Sequence, residues 1–124
     1  MNACARRIEE PDPHELIPRF REAGPVTLDL FHRDGRADGR WIGFHPREFA
    51  LLWRLAAEPG RRVSRRDLLA DVWRMEFEPE TNSLEVHVAR TRGKLDVFGL
   101  AWLIETHPHG GYLLSAAAND SFGF

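Results

Sequence analysis

Two stretches of the chain decide its fold: PGRRVSRRDLLADVW at residues 59–73 and NSLEVHVARTRGKL at residues 82–95. Each contains a polar residue suited to cap a helix, Ser64 in the first and Asn82 in the second, and an acidic residue three positions later. Side chains that would be buried on one face then recur at helical spacing. They are Leu68, Leu69, Val72 and Trp73 in the first stretch, and Leu84, Val88, Thr91 and Leu95 in the second. The pattern predicts two helices on a common core, the later one running from about Asn82 to Leu95 with its charged face free.

A further helix is predicted upstream, over His45–Pro59. Pro46 suits its first turn, and Pro59 with Gly60 ends it. Its apolar stripe is wide, which predicts a deeply buried helix. Between the second and third helices, RMEFEPE at residues 74–80 breaks the helical period and predicts an acidic loop.

Strands are predicted on both sides of the helices. Val26–His32 alternates, Trp41–Phe44 follows two Asp-Gly turn signals, and Trp102–Glu105 with Gly111–Leu114 brackets a turn at His107–Gly110. A short helical turn is predicted over His14–Ala23.

This order predicts an α+β winged helix-turn-helix: a small N-terminal antiparallel sheet, three helices and a C-terminal β-hairpin wing. The domain is expected at residues 25–115, with an N-terminal extension at 1–24 and a loose tail at 116–124. A small α+β domain with no nucleic-acid role is the alternative.

The composition excludes several classes of protein. With 43% apolar and 29% charged residues in 124, the chain is typical of one folded domain and not of a disordered one. No apolar run is long enough to span a membrane, and the first ten residues lack the apolar core of a signal peptide. The one cysteine, Cys4, has no internal disulfide partner. These features favour a cytoplasmic protein.

The net charge of −2 hides a strong asymmetry. Residues 40–75 carry eight arginines and four carboxylates, a balance of +4, and residues 81–95 carry three basic residues and one acidic, a balance of +2. Arginine is the side chain best suited to bidentate phosphate contact. The clusters therefore favour nucleic-acid binding, although an ordinary solvated surface has the same appearance.

These motifs resemble the OmpR/PhoB-type winged-helix DNA-binding domain. The resemblance runs from Val26 to Leu114 and rests on HPREFALL at 45–52, PGRRVSRRDLL at 59–69, LEVHVARTRGKL at 84–95, and IET and GY at 104–106 and 111–112. It implies sequence-specific binding of double-stranded DNA in transcription regulation, often as tandem dimers on direct repeats, at the bacterial nucleoid. Members usually follow a phosphorylatable receiver domain. Only about 25 residues precede the match here, so phosphorylation on this chain is not expected.

The third helix is the expected recognition element, since an α-helix fits the major groove. Arg90 suits guanine, Asn82 adenine, Glu85 cytosine, and Val86 a thymine methyl group. His87, Arg92 and Lys94 lie nearer the rim and suit phosphates, although His87 could instead pack at the helix edge. The resemblance places the family's DNA contacts on Glu85, Val86, His87, Arg90 and Arg92. Arg65 and Arg66, at the start of the second helix, are further candidate phosphate contacts.

The hairpin departs from the family, because Pro108 stands where members commonly have an arginine. Its flanking His107 and His109 are mostly neutral at pH 7, so the wing is expected to bind DNA weakly, and better at lower pH. Ordinary loop histidines are the alternative. Two histidines are too few for a zinc site.

The acidic loop is not expected on DNA, because its carboxylates repel phosphate. The resemblance implies a contact of Glu76, Phe77 and Glu78 with RNA polymerase, whereas a solvated loop with Phe77 in the core is the plainer interpretation. No nucleophile–base pair or phosphate-binding loop is present, so neither enzyme activity nor a cofactor is expected. The alternative function is a winged-helix module whose main partner is a protein.

Overall fold

The structure, a computed structural model, describes residues 18–75 and 82–116. Its strands are β1 (Phe20–Ala23), β2 (Val26–Asp29), β3 (Asp34–Ala37), β4 (Arg40–Trp41), β5 (Ile104–Thr106) and β6 (Tyr112–Leu114). Its helices are α1 (Pro46–Ala56), α2 (Arg65–Trp73) and α3 (Ser83–Asp96), followed by a short 3-10 helix at Ala101–Leu103. Strands β1 to β4 form one antiparallel sheet in sequence order, and β5 pairs with β6 in the hairpin. The predicted winged helix-turn-helix is confirmed.

The helix predicted over His14–Ala23 is wrong where the structure describes it. Phe20–Ala23 forms β1, and Ala23 pairs with Val26 across a turn at which Gly24 has a φ of +61°. Ala23 is fully buried with the core. Pairing with β2 therefore overrides the local preference of this segment, and the sheet includes residues that the sequence assigns to an N-terminal extension.

Two other strands are shorter than the sequence predicts, and an aspartate ends each. The Asp29 carboxylate accepts the backbone N–H groups of Phe31 and His32, which turns the chain after β2. The Asp34 carboxylate accepts those of Gly43 and Phe44, which removes them from the ladder after Trp41. Side-chain oxygens of aspartate commonly replace a strand partner in this way.

The core lies between the sheet and the three helices. The apolar faces predicted for α2 and α3 are confirmed at Leu68, Leu69, Leu84, Val88 and Leu95, each at most 1% exposed. Burial of each such side chain contributes about 1.5–3 kcal/mol. Thr91 is also buried on this face, and its hydroxyl donates to the His87 carbonyl (2.6 Å), so no polar group is left unpaired there.

The helix caps follow the sequence in one case and not in another. The Ser64 hydroxyl accepts the Asp67 N–H (3.0 Å) at the start of α2, as predicted. Asn82 makes no side-chain capping bond at the start of α3, and Glu85 is used elsewhere. At α1 it is the buried Glu48 carboxylate that accepts the His45 N–H (2.7 Å).

The hairpin is attached to the segment before α2. Val63 and Tyr112 exchange two backbone hydrogen bonds of 2.9 and 3.0 Å. Gly111 approaches so closely that a Cβ there would overlap the Val63 carbonyl, and its φ of +84° also requires glycine. The hairpin therefore has a fixed position beside α2 and α3. In the described parts of the chain, no helix is long and apolar enough to cross a membrane.

Candidate nucleic-acid interface

Helix α3 presents to solvent an exposed face whose central side chains are small. Asn82, Ala89, Arg90 and Gly93 are exposed, Val86 is half-buried, and the opposite face is buried. Nothing in the structure lies within 4 Å of the position that a Cβ on Gly93 would take. Among the described residues, no carboxylate pairs with Arg90. This face can therefore approach another surface closely, with one free guanidinium at its edge.

Both flanks of that face are anchored to the rest of the domain. On one flank, the Arg65 Nε donates to the Glu85 Oε2 (2.7 Å), which joins α2 to α3. The hydrogen bond from Arg65 lowers the pKa of Glu85, although burial works against it. The sequence predicts that Glu85 reads a base and that Arg65 contacts phosphate. In the structure the two are paired with each other.

Arg92 lies on the same flank and joins α3 to the hairpin. Its Nε and Nη2 donate to the Ile104 carbonyl (3.0 and 2.7 Å), and Nη2 also donates to the Thr106 hydroxyl (2.9 Å). The guanidinium lies 5.7 Å from the centre of the Tyr112 ring. Arg92 thus fixes the position of the hairpin relative to α3, a use that the helical wheel does not predict.

On the other flank lies Lys94, which the sequence predicts as a phosphate contact. In the structure it bonds within the domain instead. Its Nζ donates to the Glu48 Oε1 (2.6 Å) and to the Gly43 carbonyl (2.9 Å), which ties α3 to α1. Burial of Glu48 works to raise its pKa, but the hydrogen bonds from Lys94 and from the His45 N–H lower it overall. The carboxylate therefore stays charged and needs Lys94 as its partner.

His87 packs at the edge of α3, in agreement with one of its two interpretations. Its Nδ1 lies 2.8 Å from the Ser83 carbonyl, and its ring meets Trp73 edge-on at 5.1 Å. Arg66, by contrast, is exposed at the first turn of α2, where free N–H groups favour an anion.

The hairpin loop is held by its own histidine and by an arginine from outside it. The His109 N–H donates to the His107 Nδ1 (3.0 Å), and the two rings are 5.5 Å apart. Arg62 donates through Nε to the Gly110 carbonyl (2.5 Å) and through Nη2 to the His109 carbonyl (3.1 Å). The sequence does not single out Arg62 as a site residue, and the one signal for it is that arginines are concentrated around the start of α2, at Arg61, Arg62, Arg65 and Arg66.

Glu76, Phe77 and Glu78 lie outside the described residues. Within residues 18–75 and 82–116, no group of three or more His, Cys, Asp or Glu side chains could hold a metal ion.

Comparisons with known proteins identify the same domain. Residues 39–114 match the family model described as "Transcriptional regulatory protein, C terminal". The response regulator MprA of Mycobacterium leprae is 35% identical over 114 residues, and that of Mycobacterium tuberculosis is 36% identical over 115. Each alignment covers 92% of this chain but 49% of the relative, so the chain spans about half the length of these proteins.

Solved structures are similar as well. The DNA-binding domain of CpxR from E. coli superposes with a TM-score of 0.70 at 27% identity, over 79% of this chain and 97% of that one. The Klebsiella pneumoniae RstA DNA-binding domain, solved in complex with the RstA box, gives a TM-score of 0.68 at 25% identity, over 79% and 98%. The family match covers more than half of the chain, and the fold agrees with it. The chain therefore belongs to the family of transcriptional regulatory protein C-terminal domains.

Proposed function

We propose that the protein binds double-stranded DNA sequence-specifically in transcription regulation, with α3 in the major groove and the hairpin beside it. The observation that carries the proposal is the free face of α3. It is small at its centre and bordered by an unpaired arginine, and its two flanks are fixed to the domain. A helix presented in this way can enter the groove without rearrangement.

The proposed base contacts are fewer than the sequence suggests. Arg90 would donate two hydrogen bonds from its guanidinium to a guanine, Asn82 would pair with an adenine, and Val86 would pack on a thymine methyl group. Glu85, Arg92 and Lys94 are assigned a positioning role instead, because each already bonds within the domain. Arg66 is proposed as a phosphate contact at the start of α2.

The proposal includes two protein partners and a location. A second copy would bind beside the first on a repeated DNA site, and RNA polymerase would contact the acidic loop at Glu76, Phe77 and Glu78. The resemblance to the family supports both partners, and the acidic composition of the loop supports the second. Such a protein acts in the cytoplasm at the nucleoid.

A protein-recognition module is the second candidate function. It is favoured because two basic residues of α3, Arg92 and Lys94, donate hydrogen bonds within the domain. Among the described residues of that helix, Arg90 is then the free basic residue. Because nonspecific affinity for DNA scales with the number of neutralised phosphates, few free cations favour weak DNA binding.

Selection of binding sites from a random-sequence duplex pool tests the main proposal. We expect the protein to enrich a motif that contains a guanine, and Arg90→Ala to relax the preference at that one position, at a cost of about 1–3 kcal/mol. Arg36→Ala is the matched control, because Arg36 lies on the outward face of the sheet and packs on Trp41. A pool that shows no enrichment with the wild-type protein would favour protein recognition.

A further inference from the structure

The hairpin loop has no permanent positive charge of its own. Residues 96–124 contain neither lysine nor arginine, and the loop from His107 to Gly111 is built from histidine, proline and glycine. A wing of this composition carries no permanent cation of its own with which to neutralise a phosphate.

Arg62 places a guanidinium on the loop from outside. Its two hydrogen bonds go to the carbonyls of His109 and Gly110, and a Cβ on Gly110 would lie 3.7 Å from its Nη2. The two residues are 48 positions apart in sequence. The contact exists because the bridge between Val63 and Tyr112 brings the start of α2 beside the hairpin.

The charge of Arg62 is not cancelled where it lies. Its partners are neutral carbonyls, and no carboxylate in the described part of the chain forms an ion pair with it. Two neighbouring arginines differ, since Arg61 pairs with Glu58 (2.9 Å) and Arg65 pairs with Glu85. A guanidinium has five N–H donors, and the two bonds to the loop leave those of Nη1 unused.

We propose that Arg62 is the DNA-contacting cation of the hairpin, holding the loop with Nε and Nη2 while Nη1 binds a backbone phosphate. This inference rests on the proposed function. Arginine suits both tasks at once, because its planar fork can donate in two directions while its charge stays fixed. The two bonds to the loop also restrain the side chain in advance, which lowers the entropy lost on binding.

Fluorescence anisotropy with a short, fluorescein-labelled duplex of mixed sequence tests the proposal. The affinity of the wild-type protein, Arg62→Ala, Arg62→Lys and Arg36→Ala would be measured across a salt series. Loss of one phosphate contact reduces the steepness of log K against log salt by about 0.9. We expect that reduction for Arg62→Ala, with about five- to tenfold weaker binding near 0.1 M salt. Arg62→Lys should keep the wild-type steepness, and Arg36→Ala should leave both quantities unchanged.

Hydrogen exchange separates the two tasks of Arg62. The N–H groups of His107 and Gly110 close the loop internally, and both should exchange faster in Arg62→Ala. Thermal unfolding followed by circular dichroism checks that each variant is folded. If Arg62→Ala keeps the wild-type salt dependence, even with faster exchange, the proposed phosphate contact is overturned. If the wild-type protein itself shows no salt-dependent binding, the proposed function fails instead.

Discussion

Arg65 and Glu85 form an ion pair of 2.7 Å that joins the first turn of α2 to the first turn of α3. It fixes the angle between the two helices at the end that faces the proposed DNA site. The Glu85 carboxylate thus bonds to α2 through Oε2, and Asn82 makes no side-chain capping bond at the start of α3.

The Arg65–Glu85 pair predicts a loss of stability in acid. The pKa of Glu85 is lower in the folded protein than in the unfolded chain, so its contribution is fully present above the unfolded value near 4.5 and is lost as the pH falls through the folded value. Glu85→Gln should cost about 0.5–1 kcal/mol at pH 7, since the pair is partly exposed, and less at low pH. Urea unfolding at several pH values measures this, and a cost that does not shrink in acid would contradict it.

Lys94 is predicted to stabilise the fold without contacting DNA. Lys94→Met leaves the buried Glu48 carboxylate, whose side chain is 3% exposed, without its charged partner. We expect the free energy of unfolding to fall by about 1–3 kcal/mol. The salt dependence of DNA binding should equal that of the wild type, whereas loss of one phosphate contact would reduce its steepness by about 0.9. A reduction of that size in the folded variant would return Lys94 to the DNA interface.

A substitution at Gly93 is expected to change the stability of the protein and its affinity for DNA in opposite directions. Alanine at this position meets nothing within 4 Å and is preferred in a helix interior, so Gly93→Ala should stabilise the protein by about 1 kcal/mol. If DNA approaches this face closely, the same variant should bind DNA more weakly. Urea unfolding and anisotropy would be measured on one preparation. Higher stability with unchanged affinity would show that the backbone at Gly93 is not approached.

Alanine is expected to destabilise the protein at Gly111, in contrast to Gly93. Gly111→Ala would force a Cβ into the Val63 carbonyl at a φ that disfavours alanine, and should cost about 1–3 kcal/mol. Because the strain falls on the bridge between Val63 and Tyr112, it should also raise hydrogen exchange at those two N–H groups. Exchange that rises equally throughout the core would instead mean that the hairpin is not a separate unit.

Periodicity made the helices and the buried face of α3 predictable, because a repeat such as Leu84, Val88, Thr91 and Leu95 has few other ways to be buried. Strand β1 was not predictable in the same way. Its four residues, Phe20–Ala23, include two charged side chains and become a strand only by pairing with β2. The ends of β2 and β4 likewise depend on aspartate side chains that bond across a turn.

The hydrogen-bonding partners of these charged side chains could not be predicted from the sequence. Lys94 and Glu48 are 46 positions apart, and Arg62 and Gly110 are 48 apart. These contacts exist only once the sheet, helices and hairpin have packed. A helical wheel places Lys94 and Arg92 at the rim of the free face, but it cannot show that α1 and β5 lie within reach of them.

The most direct test of the account is the salt dependence of DNA binding by the wild-type protein and by Arg90→Ala, measured by fluorescence anisotropy on a selected duplex. The account predicts that log K falls steeply and linearly with log salt for the wild-type protein, by about 0.9 for each phosphate contacted. Arg90→Ala should bind more weakly at every salt concentration, with nearly the same steepness, because a base contact and not a phosphate contact is lost. Absence of binding even at low salt would contradict the assignment of α3 as a DNA-reading helix.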